Sequence, residues 1–157
     1  MKHVFGFSGG IDSQAALRWG RSKFGDENCI AVNSDAGGHE HPITTEFIKH
    51  FSETVFPVVQ VTPLIKDLGG RGTRPGAIKD RRDEFSDDDV LTFERLAYIK
   101  GMFPRSSIQF CTEHLKLRPM LRWQKENLVD KGIEFERYTG VRCDESQGRK
   151  DTPDREW

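Results

Sequence analysis

The segment His3-Val4-Phe5-Gly6-Phe7-Ser8-Gly9-Gly10-Ile11-Asp12-Ser13 constrains this chain more than any other. His3 to Phe7 is a short apolar run of the kind that forms a buried strand. Asp12 to Phe24 then reads as a helix, with Ala15, Ala16, Trp19 and Phe24 available to a core. A strand that passes through a glycine turn straight into a helix starts a βα unit, which needs a parallel neighbour and a crossover. The turn itself suits an anion. Gly9 and Gly10 admit unusual φ values and let backbone N–H groups approach closely, Ser8 and Ser13 add hydroxyls, and the helix start favours negative charge. Asp12 has two readings in such a cradle: it caps the helix, or it holds Mg²⁺ bound to phosphates.

The same alternation continues along the chain. Cys29-Ile30-Ala31-Val32-Asn33 reads as a second buried strand, ending in the polar turn Ser34-Asp35-Ala36-Gly37-Gly38. Pro42 to Phe56 reads as an amphipathic helix with Ile43, Phe47, Ile48 and Phe51 as its apolar positions, and Pro57 to Val61 as a third strand. Val90 to Phe103 and Thr112 to Lys131 are further expected helices, with Pro119 starting or bending the second. Ile133 to Val141 is the last expected strand. Ligands of doubly wound sheets sit beyond the carboxyl ends of the strands, where both glycine-rich turns fall.

Length and composition fit one domain: 157 residues, 35% hydrophobic and 31% charged. No apolar run reaches the roughly 18 residues that span a bilayer. The short N-terminal run is no signal peptide, so no membrane association and a cytoplasmic location are expected. A net charge of −1 argues neither for nor against nucleic acid. From Lys66 to Arg82 the bases Lys66, Arg71, Arg74, Lys79, Arg81 and Arg82 face only Asp67 and Asp80, and acids dominate from Asp83 to Asp89. Residues 66–89 are therefore expected to be a flexible charged loop, either simply solvated or a basic flap over a polyanion. Cys29, Cys111 and Cys143 cannot pair completely and form no C-x-x-C, which argues against a disulfide framework, and their number excludes a four-cysteine iron–sulfur cluster within one chain.

The string Ser8-Gly9-Gly10-Ile11-Asp12-Ser13 resembles the SGGxDS signature of the PP-loop ATP pyrophosphatases, and it lacks the Gly-Lys-Ser/Thr ending of a Walker loop. Asn33-Ser34-Asp35-Ala36-Gly37-Gly38-His39-Glu40-His41-Pro42, with Thr44 and Thr45, is similar to the DTG-x-E-x-P-x-T segment of the phosphoadenosine phosphosulfate (PAPS) reductase-like branch. Cys111-Thr112-Glu113-His114-Leu115-Lys116-Leu117-Arg118-Pro119 resembles that branch's C-T-x-x-L-K-x-x-P segment. Gly140-Val141-Arg142-Cys143-Asp144-Glu145-Ser146-Gln147-Gly148-Arg149 resembles its G-x-R-x-x-E-S-x-x-R segment. The four motifs run in order from residue 7 to residue 149.

The resemblance implies an adenine nucleotide alpha-hydrolase-like fold: α/β, doubly wound, with a mainly parallel five-stranded sheet and helices on both faces. It implies one PP-loop nucleotide-binding domain over residues 1–157, with a C-terminus shorter than that of relatives. Ser8, Gly9, Gly10, Ile11, Asp12 and Ser13 would bind phosphate, and Asn33 and Ser34 would lie near the adenine or ribose. Lys116, Arg142 and Arg149 would neutralise phosphate or sulfate. Asp12, Lys116, Arg142 and Cys111 are the expected catalytic residues, with Asp12 the candidate Mg²⁺ ligand. Cys111 is either a thiolate activated by Lys116 and Arg118 or a packed, inert thiol. Cys29 belongs to the core, and Glu145 positions Arg142. His39 and His41 lack a third ligand for a metal site.

The implied activity is cleavage of ATP to AMP and pyrophosphate, activating an acceptor for sulfur or nitrogen transfer. Reduction of PAPS or its 3′-unphosphorylated analogue is the alternative, disfavoured because the C-terminal cysteine motif of the reductases is absent. A non-catalytic nucleotide-binding subunit is a third. The acceptor stays open, as does a protein partner or second copy that completes the site.

Overall fold

The computed structural model describes residues 1–69, 81–104 and 110–140. Four strands form one all-parallel sheet: β1 (Lys2–Gly6), β2 (Cys29–Ser34), β3 (Val58–Val61) and β4 (Phe135–Thr139), in the order β3-β2-β1-β4. Helices α1 (Ile11–Phe24) and α2 (Pro42–Thr54) connect the first three, α3 (Phe93–Lys100) follows β3, and α4 (Arg118–Asn127) precedes β4.

The side-chain alternation of the strands assigns the helices to opposite faces. Phe5, Phe7, Cys29, Ala31 and Val58 point to one face and pack with Leu17 of α1 and with Ile48 and Phe51 of α2. Val4, Val32 and Val61 point the other way and pack with Leu128, Met120 and Trp123 at α4. The runs predicted as buried strands are therefore apolar on both faces because both faces are covered. Cys29 lies in this core, and its burial raises the thiol pKa above the ordinary value.

Local chemistry sets the ends of the helices. Pro42 begins α2 behind His41, whose Nδ1 accepts from the Ile43 N–H at 3.2 Å. Thr92 caps α3, accepting from the Arg95 N–H at 3.2 Å, and Gly101 ends it in the left-handed conformation. This helix is shorter than predicted, because Val90 pairs with Leu64 in an isolated antiparallel bridge. The predicted helix from Thr112 starts as a π-helical turn, Thr112–Leu117, and becomes α-helical at Arg118, one residue before Pro119.

One expectation is corrected. Among the described residues the sheet has four strands, not five. The chain between β3 and α4 spends its apolar residues on a separate cluster of Ile65, Leu68, Leu91, Leu96, Ile99 and Leu115. At the start of the charged stretch Asp67 and Leu68 are buried, just after buried Ile65, and Asp67 accepts from Nε of Arg122 at 2.7 Å. Residues 70–80 of that stretch lie outside the described residues. No described helix is long and apolar enough to cross a membrane.

Candidate nucleotide site

All four strands are parallel, so their carboxyl ends share one edge of the sheet. From β1 the chain steps to β2 and β3, then returns to the opposite side of β1 for β4. Strand order therefore reverses between β1 and β4, and the turn Phe7–Gly10 leaves β1 at that point. This is where doubly wound sheets bind ligands.

The serines of the turn bond to the turn itself. Ser13 is buried and donates from Oγ to the Gly10 carbonyl at 2.8 Å, while accepting from the Ser8 N–H and hydroxyl at 3.3 Å each. Gln14 Nε2 donates to the Gly9 carbonyl at 2.9 Å. Both serine hydroxyl hydrogens are thus engaged internally, so the serines shape the loop rather than point donors outward. Gly10 is the N-cap of α1 and supplies no side-chain cap, which leaves the helix start to the backbone. Gly9 has a φ of +80°, and a Cβ there would also press on Ile48. Ile11 is 83% exposed at the mouth of the turn. Asp12 lies partly buried in the first turn of α1, where a carboxylate complements the helix dipole.

Around the turn, β2 and β4 close in. Asn33 is buried, and its Nδ2 donates to the Phe7 carbonyl at 2.7 Å, pinning the end of β1 from the neighbouring strand. Gly140, directly after β4, lies so close to α1 that a Cβ would come 2.6 Å from the Asp12 carbonyl carbon and oxygen. Any side chain at 140 would push β4 off the first turn of α1.

The second and third motifs meet beside this edge. In an α-helix the Leu115 carbonyl would accept from residue 119, but Pro119 has no N–H. Ser34 Oγ donates to that carbonyl instead, at 2.6 Å and fully buried. The bond ties the π-helical turn to the end of β2. Lys116, the next residue, places Nζ 2.6 Å from Oε1 of Glu40. Asp35 organises the turn between them, accepting from the Gly37 N–H at 2.9 Å and the Thr62 hydroxyl at 3.2 Å. Ala36 in this turn has a φ of +51°, a conformation that favours glycine.

The remaining expected site residues are placed as follows. Cys111 is partly buried and packs against the Ile65–Leu115 cluster. The cations expected to activate it are engaged elsewhere: Lys116 on Glu40, and Arg118 on Oε1 of Glu113 through Nε at 2.9 Å and a terminal nitrogen at 2.7 Å. His39 stacks on Phe93 with ring centroids 4.2 Å apart, whereas His41 caps α2, so the two diverge. Among the described residues no group of three or more His, Cys, Asp or Glu could hold a metal ion. Arg142, Cys143, Glu145 and Arg149 lie outside the described residues.

Glu40, Gly140 and His114 stand inside the motifs but carry no role from the sequence alone. The buried His114 accepts from the Gly69 N–H through Nδ1 at 3.5 Å, and burial pushes its pKa down to about 4. Its signal in the sequence was its place inside the third motif. No family model, curated protein or solved structure matches the chain.

Proposed function

We propose that this chain is a PAPS reductase-like PP-loop enzyme that binds ATP and splits it to AMP and pyrophosphate, activating an acceptor for sulfur or nitrogen transfer. One observation carries the reading. The Ser8–Ser13 turn stands at the reversal point of the sheet, with the backbone start of a 14-residue helix directly behind it. A helix start without a side-chain cap stabilises a phosphate through N–H groups and dipole together.

In this reading the backbone of Gly9 to Ser13 grips the β- and γ-phosphates. An acceptor oxygen attacks the α-phosphorus, the bond from that phosphorus to the bridging oxygen breaks, and pyrophosphate leaves with its charge held by the turn. A sulfur or nitrogen nucleophile then bonds to the acceptor atom that carries the adenylated oxygen, the bond from that atom to the oxygen breaks, and AMP leaves with the oxygen. Lys116 is one strand away, on a turn anchored to β2, and supplies a further positive charge. Arg142 and Arg149 follow Gly140, the residue that packs on Asp12, and are assigned to the phosphates by their motif. The donor set fits Mg²⁺ only together with the ligand. Mg²⁺ is commonly held by one or two carboxylates plus substrate phosphates, and Asp12 at the helix start supplies one carboxylate. When bound, the ion would add charge neutralisation at the phosphates. The acceptor, a partner subunit and a cytoplasmic setting belong to the same proposal.

The test is release of pyrophosphate from ATP by the purified chain with Mg²⁺ and candidate oxygen acceptors, with AMP formed in equal amount once water or a sulfur or nitrogen nucleophile resolves the adenylate. Asp12→Ala is expected to abolish release. ATP that binds but is never split, under any of these conditions, refutes the catalytic part and leaves a binding module.

A further inference from the structure

The peptide unit between Gly9 and Gly10 is held by a side chain that stands just outside the first motif. Gln14, the fourth residue of α1, donates from Nε2 to the Gly9 carbonyl at 2.9 Å, reaching back across the helix start. Among the described residues no peptide bond is cis, so the carbonyl and N–H of this unit point in opposite directions. With the carbonyl turned onto Gln14, the Gly10 N–H is aimed the other way, at the Ser8 hydroxyl, which accepts it at 3.4 Å. A bond that long is weak, and Ser8 and Gly10 are both exposed, so a phosphate oxygen can take its place. The backbone does not secure this orientation by itself. A peptide between two glycines can turn over, because neither residue carries a Cβ that opposes the change. Turning over carries the Gly10 φ from −74° to roughly +106°, a region open to glycine. It also brings the Gly9 carbonyl oxygen to the side on which the N–H stood.

We propose that Gln14 is a positioning residue of the phosphate site, locking the Gly9–Gly10 peptide so that it presents an N–H, and not a carbonyl oxygen, to the β- and γ-phosphates. This rests on the reading of the Ser8–Ser13 turn as a phosphate site. The flipped peptide sets a partial negative charge against a polyanion, so the locked form is the one that binds. Apparent affinity then scales with the fraction of chains that are locked. The next carbonyl needs no such help, since Gly10 is held twice, by Ser13 Oγ at 2.8 Å and by the Gln14 N–H at 3.1 Å. A glutamine suits the task because its amide donates without a charge, and so leaves the positive field of the helix start to the ligand.

Gln14→Met keeps the length of the side chain and removes the donor. Calorimetric titration of the full chain with inorganic pyrophosphate is expected to show about three- to tenfold weaker binding, the worth of one neutral hydrogen bond. Gly10→Ala identifies the cause. Alanine fits the Gly10 conformation, where a Cβ meets nothing nearer than the Ser8 hydroxyl at 3.5 Å, but it opposes the flipped φ. In the Gly10→Ala background, Gln14→Met is therefore expected to change the affinity by less than about twofold. An equal loss in both backgrounds overturns the proposal, because Gln14 would then support the helix start without governing the peptide. The lock is also read without any ligand. Nuclear Overhauser effects between the Gly9 Hα atoms and the Gly10 N–H report the orientation of the peptide, and they should change in Gln14→Met while the rest of the amide spectrum keeps its dispersion. An unchanged pattern overturns the proposal even where Gly10→Ala by itself binds too weakly to titrate. Wild-type protein that binds neither pyrophosphate nor ATP refutes the phosphate reading and the role of Gln14 with it. Wild-type binding combined with an unchanged pattern in Gln14→Met refutes the role of Gln14 alone.

Discussion

Two buried side-chain hydrogen bonds decide where the loops of this site stand, and each can be removed by a single truncation. Ser34 Oγ serves the one carbonyl that Pro119 deprives of a helical partner. Ser34→Ala leaves the Leu115 carbonyl buried without that donor, at a cost of about 1–3 kcal/mol. It also frees the π-helical turn that presents Lys116. Urea denaturation should show the loss of stability, and pyrophosphate affinity should fall in the same variant. A drop in stability without any change in affinity would mean that Lys116 does not depend on this anchor. Asn33→Ala acts one strand closer to the turn. It removes the donor to the Phe7 carbonyl and should cost a similar amount, with a larger effect on phosphate binding because Phe7 leads directly into Ser8. Wild-type affinity for pyrophosphate in Asn33→Ala would show that the turn keeps its shape without the support of β2.

At the scale of elements, the decisive contact is the approach of β4 to α1. Gly140→Ala places a methyl group against the Asp12 backbone, where neither partner is a flexible side-chain end. Overpacking of this kind typically costs about 1–3 kcal/mol, and the displaced first turn of α1 should lose ATP affinity. A variant with unaltered thermal unfolding and ATP binding would show that β4 can yield without disturbing the turn. That contact was not legible beforehand, because a glycine after a strand is ordinary punctuation and its partner lies at the far end of the chain. β1, β2, α1 and α2 were legible, since strands covered on both faces are apolar throughout and α2 carries a helical period. The stretch from Thr62 to Leu91 was not. Ile65, Leu68 and Leu91 follow no period, and they are buried by Leu96, Ile99 and Leu115, which come later in the sequence. Charge there suggested a solvated loop, whereas Asp67 is buried on Arg122. The motifs single out the turns after β1 and β2 and the segment around Lys116. They did not disclose that Ser34 pairs with Leu115 or Glu40 with Lys116, because contacts across 81 and 76 residues leave no local pattern.

For the molecule as a whole, the two buried histidines make stability depend on pH in a definite direction. His114 is buried on the π-helical turn, and burial is the main cause that lowers its pKa, with Lys100, Arg118 and Arg82 adding to the effect and Glu113 opposing it. His3 is lowered as well, chiefly by burial, against the pull of Glu136. An unfolded histidine binds its proton near pH 6.5, whereas folded His114 does so only near pH 4. Between those values the unfolded chain holds more protons, so acidification favours unfolding, and the loss levels off below about pH 4. The shift of His114 alone corresponds to about 3 kcal/mol across that window. His3 adds to the loss in the same direction. Glu113, Asp26 and Asp88, all held below the usual carboxylate range by their cationic partners, contribute only at lower pH, as they are protonated. The histidine part is therefore separable. His114→Gln keeps an acceptor for the Gly69 N–H but cannot titrate, so its unfolding free energy in urea should fall much less between pH 7 and pH 5 than that of the wild type. Equal slopes for the two proteins would show that His114 is not kept neutral by the fold, and the burial of this side chain would then have to be weaker than its geometry indicates.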